Sequence, residues 1–164
     1  MKRAPVLFSI FFCTVLLNSC DLFKGKKESS KRDTFYTDIG GFLDRPRIPL
    51  VKPYELLKVS SDEWRMELLT TDLLALSVHN VKGVNVSKER ILIYSEGGTE
   101  LRNKLCTQAW VIIDPALRKE RAFFDSKKYA DTLKGLGITD TSLVLPNKLY
   151  EDFSNSGTLK WSHR

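Results

Sequence analysis

The sequence predicts an α+β domain: an antiparallel β-meander of five to seven strands with one or two C-terminal helices packed on one face. Three observations carry this. Apolar and polar residues alternate strictly over 62–68, the period of a half-buried strand. Two runs, Ile91–Tyr94 and Gln108–Ile113, are apolar on both faces, as central strands are. After Phe124 the period lengthens to that of a helix. A small β-sandwich or half-barrel is the alternative arrangement of the same strands.

The elements follow in order. Arg45–Pro53 holds Pro46, Pro49 and Pro53, which cannot donate to a ladder, so this segment is extended or at a sheet edge. Tyr54–Val59 pairs across the Ser60-Ser61-Asp62 turn with a strand whose Trp64, Met66 and Leu68 share one face, with Glu63, Arg65 and Glu67 on the other. Thr70–Asn80 fits a short helix or a strand equally, through Leu73, Leu74, Leu76 and Val78. Val81–Ser95 reads as a hairpin: Val84 and Val86 flank Asn85, and Ser87-Lys88-Glu89-Arg90 turns into Ile91–Tyr94. Glu96-Gly97-Gly98-Thr99 opens a loop running to Asn103. Gln108–Ile113 is followed by a turn at Asp114-Pro115 and a returning strand at Arg121–Phe124. Ser126 is the expected N-cap of a helix carrying Tyr129, Leu133 and Leu136 at i, i+4 and i+7, stopped by Gly135 or Gly137. A second helix begins near Pro146 and turns Leu149, Tyr150 and Phe153 inward. From Ser154 onward a frayed tail is expected, with Trp161 as its anchor.

The amino terminus has a different character. Met1-Lys2-Arg3 precedes an uncharged stretch, Ala4–Leu17, rich in Val, Leu, Ile and Phe. It is shorter than the about 20 apolar residues of a membrane-spanning helix, and its basic start and apolar middle are those of an export signal over residues 1–19. At its end stands Leu17-Asn18-Ser19-Cys20. These residues resemble the lipobox of bacterial lipoprotein precursors, an aliphatic residue, two small ones and a cysteine, with Asn18 where the family usually has a smaller side chain. The resemblance covers the first twenty residues. It implies cleavage between Ser19 and Cys20, diacylglycerol on the Cys20 sulfur and acylation of the new amino group, and hence a lipid-anchored protein of the bacterial cell envelope. A single acyl chain, at about 0.8 kcal/mol per buried CH2, anchors a protein only marginally, so several chains on one cysteine make the attachment durable. Asp21 resembles the inner-membrane retention signal of enteric bacteria, and between inner and outer membrane both assignments stay open.

Residues 20–33 read as a flexible basic tether, with Lys24, Lys26, Lys27, Lys31 and Arg32 among Gly and Ser. Such a stretch either spaces the domain from the membrane or lies along an anionic leaflet. Residues 34–164 then form a single globular domain, within the usual size range and able to bury a core without staples. Of the formal charge of +6, Lys2 and Arg3 belong to the export signal. The domain itself carries nineteen Lys and Arg against seventeen Asp and Glu, a balance that argues against a nucleic-acid partner. Of the three cysteines, Cys13 leaves with the signal and Cys20 takes lipid, so Cys106 has no partner for an internal disulfide and reads as a small buried hydrophobe.

Catalytic signatures are sparse. The two histidines, His79 and His163, have no neighbours at the spacing of a zinc site or of Ser-His or Cys-His machinery, so both read as surface or turn residues. Glu63 beside Asp62, and Glu151 beside Asp152, are adjacent pairs whose side chains diverge, and neither makes an acid/base dyad by itself. No phosphate-cradling glycine loop is present, so no cofactor is expected beyond the covalent lipid on Cys20. Trp64, Trp110, Phe123, Phe124 and Tyr129 fall at inward positions. Phe35, Tyr36, Phe42 and Tyr54 lie outside any clear period and either cover a sheet edge or form a binding patch.

The resulting expectation is a membrane-anchored, non-catalytic binding or interaction module, accessory or immunity-type, whose partners are membrane lipid through the acyl anchor and an envelope protein. A hydrolase acting on peptidoglycan or glycan through a carboxylate pair is the alternative. Cys20→Ser is expected to abolish incorporation of labelled palmitate in cells, and unchanged labelling would contradict lipidation.

Overall fold

The computed structural model describes residues 33–39 and 45–161. The residues read as export signal, lipobox with Ser19 and Cys20, and tether to Arg32, together with Gly40, Gly41, Phe42 and His163, lie outside the described residues. The fold is α+β, with eight antiparallel strands divided between two four-stranded sheets and two helices at the C-terminal end.

The first sheet contains β1 (Arg47–Pro49), β2 (Glu55–Lys58), β3 (Trp64–Glu67) and β4 (Ser77–Val78), in that order. The proline segment takes the edge position among the named strands, with β1 paired to β2, and Phe35 lies against it. Arg47 donates to the Phe35 carbonyl at 3.1 Å and its guanidinium stacks on the Phe35 ring. The expected hairpin across Ser60-Ser61-Asp62 forms with Leu56 opposite Met66 and Leu57 opposite Arg65. Thr70–Asn80 resolves its ambiguity as bends leading into the short β4, with Leu73 buried and Leu74 at a positive φ of 49°.

The second sheet is β5 (Val81–Ser87), β6 (Arg90–Leu101), β7 (Lys104–Asp114) and β8 (Lys119–Phe123), again in chain order. Lys88 and Glu89, at φ 49° and 61°, make the tight turn between β5 and β6, the mirror-image geometry that suits the twist of a two-residue hairpin. The loop expected at 96–103 is instead strand. Gly97 and Gly98, at φ 76° and 71°, form a bulge that puts two residues of β6 against one, Thr107, of β7. Pairing then resumes at Thr99 with Cys106, and the reversal is a tight turn at Arg102 and Asn103.

A single meander of five to seven strands is therefore incorrect, and the burial pattern explains why. On β6 and β7, Ile91, Ile93, Val111 and Ile113 face one way while Leu92 and Ile112 face the other, and all are buried. Both faces need cover. The first sheet supplies it on one side through Ile48, Leu56, Trp64, Met66 and Val78, which share a core with that inward set. On the other side α1 (Ser126–Gly135) brings Tyr129 and Leu133 onto Leu92 and Ile112. The two helices consequently do not share a face, because Leu149 and Phe153 of α2 (Pro146–Ser156) enter the core between the sheets.

Local chemistry sets the helix ends. Asp125, not Ser126, caps α1: its carboxylate accepts from the Lys128 amide at 2.8 Å. Gly137, at φ 64°, ends it in a Schellman arrangement, with Ile138 N–H to the Leu133 carbonyl at 2.9 Å and those two side chains in contact. The following segment pairs with β5, where Val84 and Val144 exchange two hydrogen bonds of 3.0 and 2.9 Å. Gly83 permits this approach, since a Cβ there would lie 2.9 Å from that of Leu143. Pro146 opens α2 and left-handed Gly157 closes it. The tail is less frayed than expected: α2 continues to Ser156, Leu159 is buried, and Trp161 is buried with its indole N–H on the Pro49 carbonyl at 3.0 Å. Phe124, expected inward, is 43% exposed because β8 ends one residue before it. Among the described residues no helix is long and apolar enough to cross a membrane.

Tyr129 stacks on Trp110 and meets Phe123 edge-on, but its buried hydroxyl has no hydrogen-bond partner among the described residues, and burial pushes its pKa up to about 12. Burial favours the neutral form, so this contribution to stability is intact below the unfolded value of about 10. It is lost as pH rises through about 12. Tyr129→Phe is expected to leave stability unchanged or raise it by up to about 1 kcal/mol at pH 7, and to reduce the alkaline loss, in urea titrations. A loss above about 1 kcal/mol at pH 7 would show that the hydroxyl is satisfied.

Candidate functional site

The most chemically organised surface lies where the first sheet hands the chain to the second. Only His79 and Asn80 separate β4 from β5. Ser77 and His79, two apart on an extended segment, project to the same side. Ser77 Oγ lies 2.9 Å from His79 Nε2, and Glu63 Oε1 lies 3.1 Å from His79 Nδ1. Glu63 reaches this position because it immediately precedes β3, the strand that pairs with β4. An ionised carboxylate only accepts, so the Glu63 contact places a proton on Nδ1 of the neutral ring. Nε2 is then an acceptor, and Ser77 donates to it.

The backbone of His79 is held from beneath. Its N–H donates to Thr99 Oγ1 at 3.0 Å, and its carbonyl accepts from Thr99 Oγ1 at 2.8 Å and Ser95 Oγ at 2.6 Å. Both hydroxyls are buried, and they flank the Gly97-Gly98 bulge on β6. Asn80, at φ 46°, donates to the Gly97 carbonyl at 3.1 Å and completes the junction.

Above this floor is an open groove of about 460 Å³ lined by Leu74, Ala75, Leu76, Ser77, His79, Gly98 and Glu100. Leu74 and Leu76 in its wall are 61% and 85% exposed, and beyond it Leu105, directly across the ladder from Glu100, is 79% exposed.

A second polar cluster is buried elsewhere. Glu120 on β8 is 2% exposed, yet every oxygen is used: Oε1 accepts from the Tyr54 hydroxyl at 3.0 Å and the Leu69 amide at 2.9 Å, and Oε2 from Thr70 Oγ1 at 2.7 Å. Burial, and after it the nearby charge of Glu120, hold the Tyr54 hydroxyl above the ordinary tyrosine range. This cluster ties β8 to the chain leaving β3.

The sequence-derived candidates fall as follows. Cys20 and Ser19 lie outside the described residues. Cys106 is buried, with its thiol on the Lys104 carbonyl at 3.2 Å. Tyr54 belongs to the core, Phe35 covers the β1 edge, and the Tyr36 hydroxyl accepts from the Lys52 amide at 3.2 Å. Glu151 and Asp152 are exposed on α2. His79, read as a surface or turn residue, is partly exposed between β4 and β5 and also lies at the centre of a hydrogen-bonded chain whose carboxylate, Glu63, comes from a neighbouring strand end. The signal was Ser-x-His in an extended stretch, whereas the Glu63 contact depends on strand pairing that spacing does not reveal. Glu120 was legible in principle, since it shares the inward parity of Ala122. Among the described residues no group of His, Cys, Asp and Glu is arranged to hold a metal ion. No protein-family model, curated protein or solved structure matches this chain.

Proposed function

We propose that this protein is an envelope lipoprotein, anchored through acyl chains on Cys20, whose domain is a binding module that engages a protein partner through the Leu74–Leu76–Leu105 face. The observation that supports it is the exposure of Leu74 and Leu76 in the wall of one groove, with Leu105 across the ladder from its lining residue Glu100. Burying one such leucine yields about 1.5–3 kcal/mol, so two or three on a common face supply the core of a modest interface. The junction beneath is held by buried hydrogen bonds, so the face is presented with little loss of conformational freedom on binding. Near-balanced charge gives the domain no reason to favour nucleic acid. A basic tether behind a lipid anchor would give the module reach along a membrane surface, as an accessory subunit or an immunity-type lipoprotein requires.

A photo-crosslinking residue placed at Leu76 in the full-length protein is expected to capture a discrete envelope protein in intact cells, while the same residue at exposed Glu151 does not. Leu76→Asp is expected to weaken the captured interaction at least about tenfold, or about 1.4 kcal/mol. Equal capture from both positions, or none from Leu76, would contradict this face as the binding surface.

A further inference from the structure

The polar floor of the groove suggests more than adhesion. The connectivity Glu63 Oε1 to His79 Nδ1 at 3.1 Å and His79 Nε2 to Ser77 Oγ at 2.9 Å is that of an activated serine: a hydroxyl whose proton is directed at a base, and a base whose tautomer is set by a carboxylate. Ser77 and His79 line the groove, as reacting groups must, and Glu63 behind them is partly exposed. The imidazole is held on a backbone that Thr99 and Ser95 fix from below, so its position does not depend on the flexible ends of surface side chains.

The geometry points to Ser77 as a nucleophile for acyl transfer, with His79 as its general base and Glu63 as a positioning residue, acting on carboxylic esters with a short aliphatic acyl group. The acyl preference comes from the apolar wall of Leu74, Ala75 and Leu76 beside the hydroxyl. An open groove leaves the developing oxyanion to water, which suits esters with good leaving groups rather than amides.

The steps balance without a further reagent. Ser77 Oγ attacks the ester carbonyl carbon while its proton passes to His79 Nε2. The Oγ–C bond forms, the bond from carbon to the leaving oxygen breaks, and the imidazolium returns its proton to that oxygen, releasing the alcohol. Water then attacks the acyl-serine, giving its proton to His79, and the carboxylic acid departs as Ser77 Oγ recovers a proton.

This goes beyond the binding proposal and fails separately from it, because the leucines and the reacting groups are different side chains. The test is to treat the full-length lipoprotein in detergent with a fluorophosphonate probe and to follow hydrolysis of p-nitrophenyl butyrate. The expected result is a probe adduct located by mass spectrometry on Ser77, with ester turnover lost in Ser77→Ala and lowered at least about 100-fold in His79→Ala. Glu63→Gln is expected to lower kcat with KM unchanged, and Glu63→Asp to recover part of it. Circular dichroism checks that each variant is folded, and Ser77→Cys, which keeps the shape of the site, is expected to redirect labelling to a thiol reagent. Absence of an adduct on wild-type Ser77, or equal turnover by wild type and Ser77→Ala, would overturn the assignment even if the crosslinking partner is found.

Discussion

The chain crosses between its two sheets over His79 and Asn80, and the peptide groups of His79 are satisfied by two buried hydroxyls, Thr99 and Ser95. Much of the remaining architecture depends on that crossing. A backbone amide and carbonyl leaving one sheet and not yet paired in the next would, if buried without partners, each cost about 1–3 kcal/mol. Here the hydroxyls substitute for the missing ladder. They sit on either side of the Gly97-Gly98 bulge, which bends β6 so that both its halves remain paired with β7 while Thr99 still meets His79. The relation of β4 to β6 is thereby set, and with it the two walls of the groove.

Glu120 ties the sheets together at a second point. A carboxylate taken out of water is tolerated only when its oxygens are paired, and three donors from Tyr54, Leu69 and Thr70 meet that requirement. The two polar junctions lie at different strand ends, so the shared apolar core between the sheets is bounded by hydrogen bonds that specify one relative placement. Replacing either with apolar residues alone would leave backbone groups such as the Leu69 amide without a partner.

What could be read from sequence divides along the reach of the interactions. Local patterns sufficed for the β2–β3 hairpin, where Trp64 and Met66 alternate with Arg65, and for the β5–β6 hairpin around Lys88 and Glu89. They also located α1 and the start of α2 at Pro146. The glycine pair misled, because Gly97-Gly98 suggests a loop by composition, whereas pairing on both sides makes it a bulge. Division into two sheets was not visible either: the two-sided burial of Ile91–Ile93 demands two covering layers but does not name them. The Glu63–His79–Ser77 chain was missed for the same reason, since its carboxylate arrives through the pairing of β3 with β4. Long-range placement, not residue chemistry, was the missing information.

The central claim is that the sheet junction at His79 is part of the folded core and not a surface loop. Native-state hydrogen exchange of the His79 amide measures this directly. Exchange through global unfolding, as slow as that of the Ile93 and Val111 amides in the central strands, is the predicted result. Exchange at the rate of an exposed loop would contradict the account.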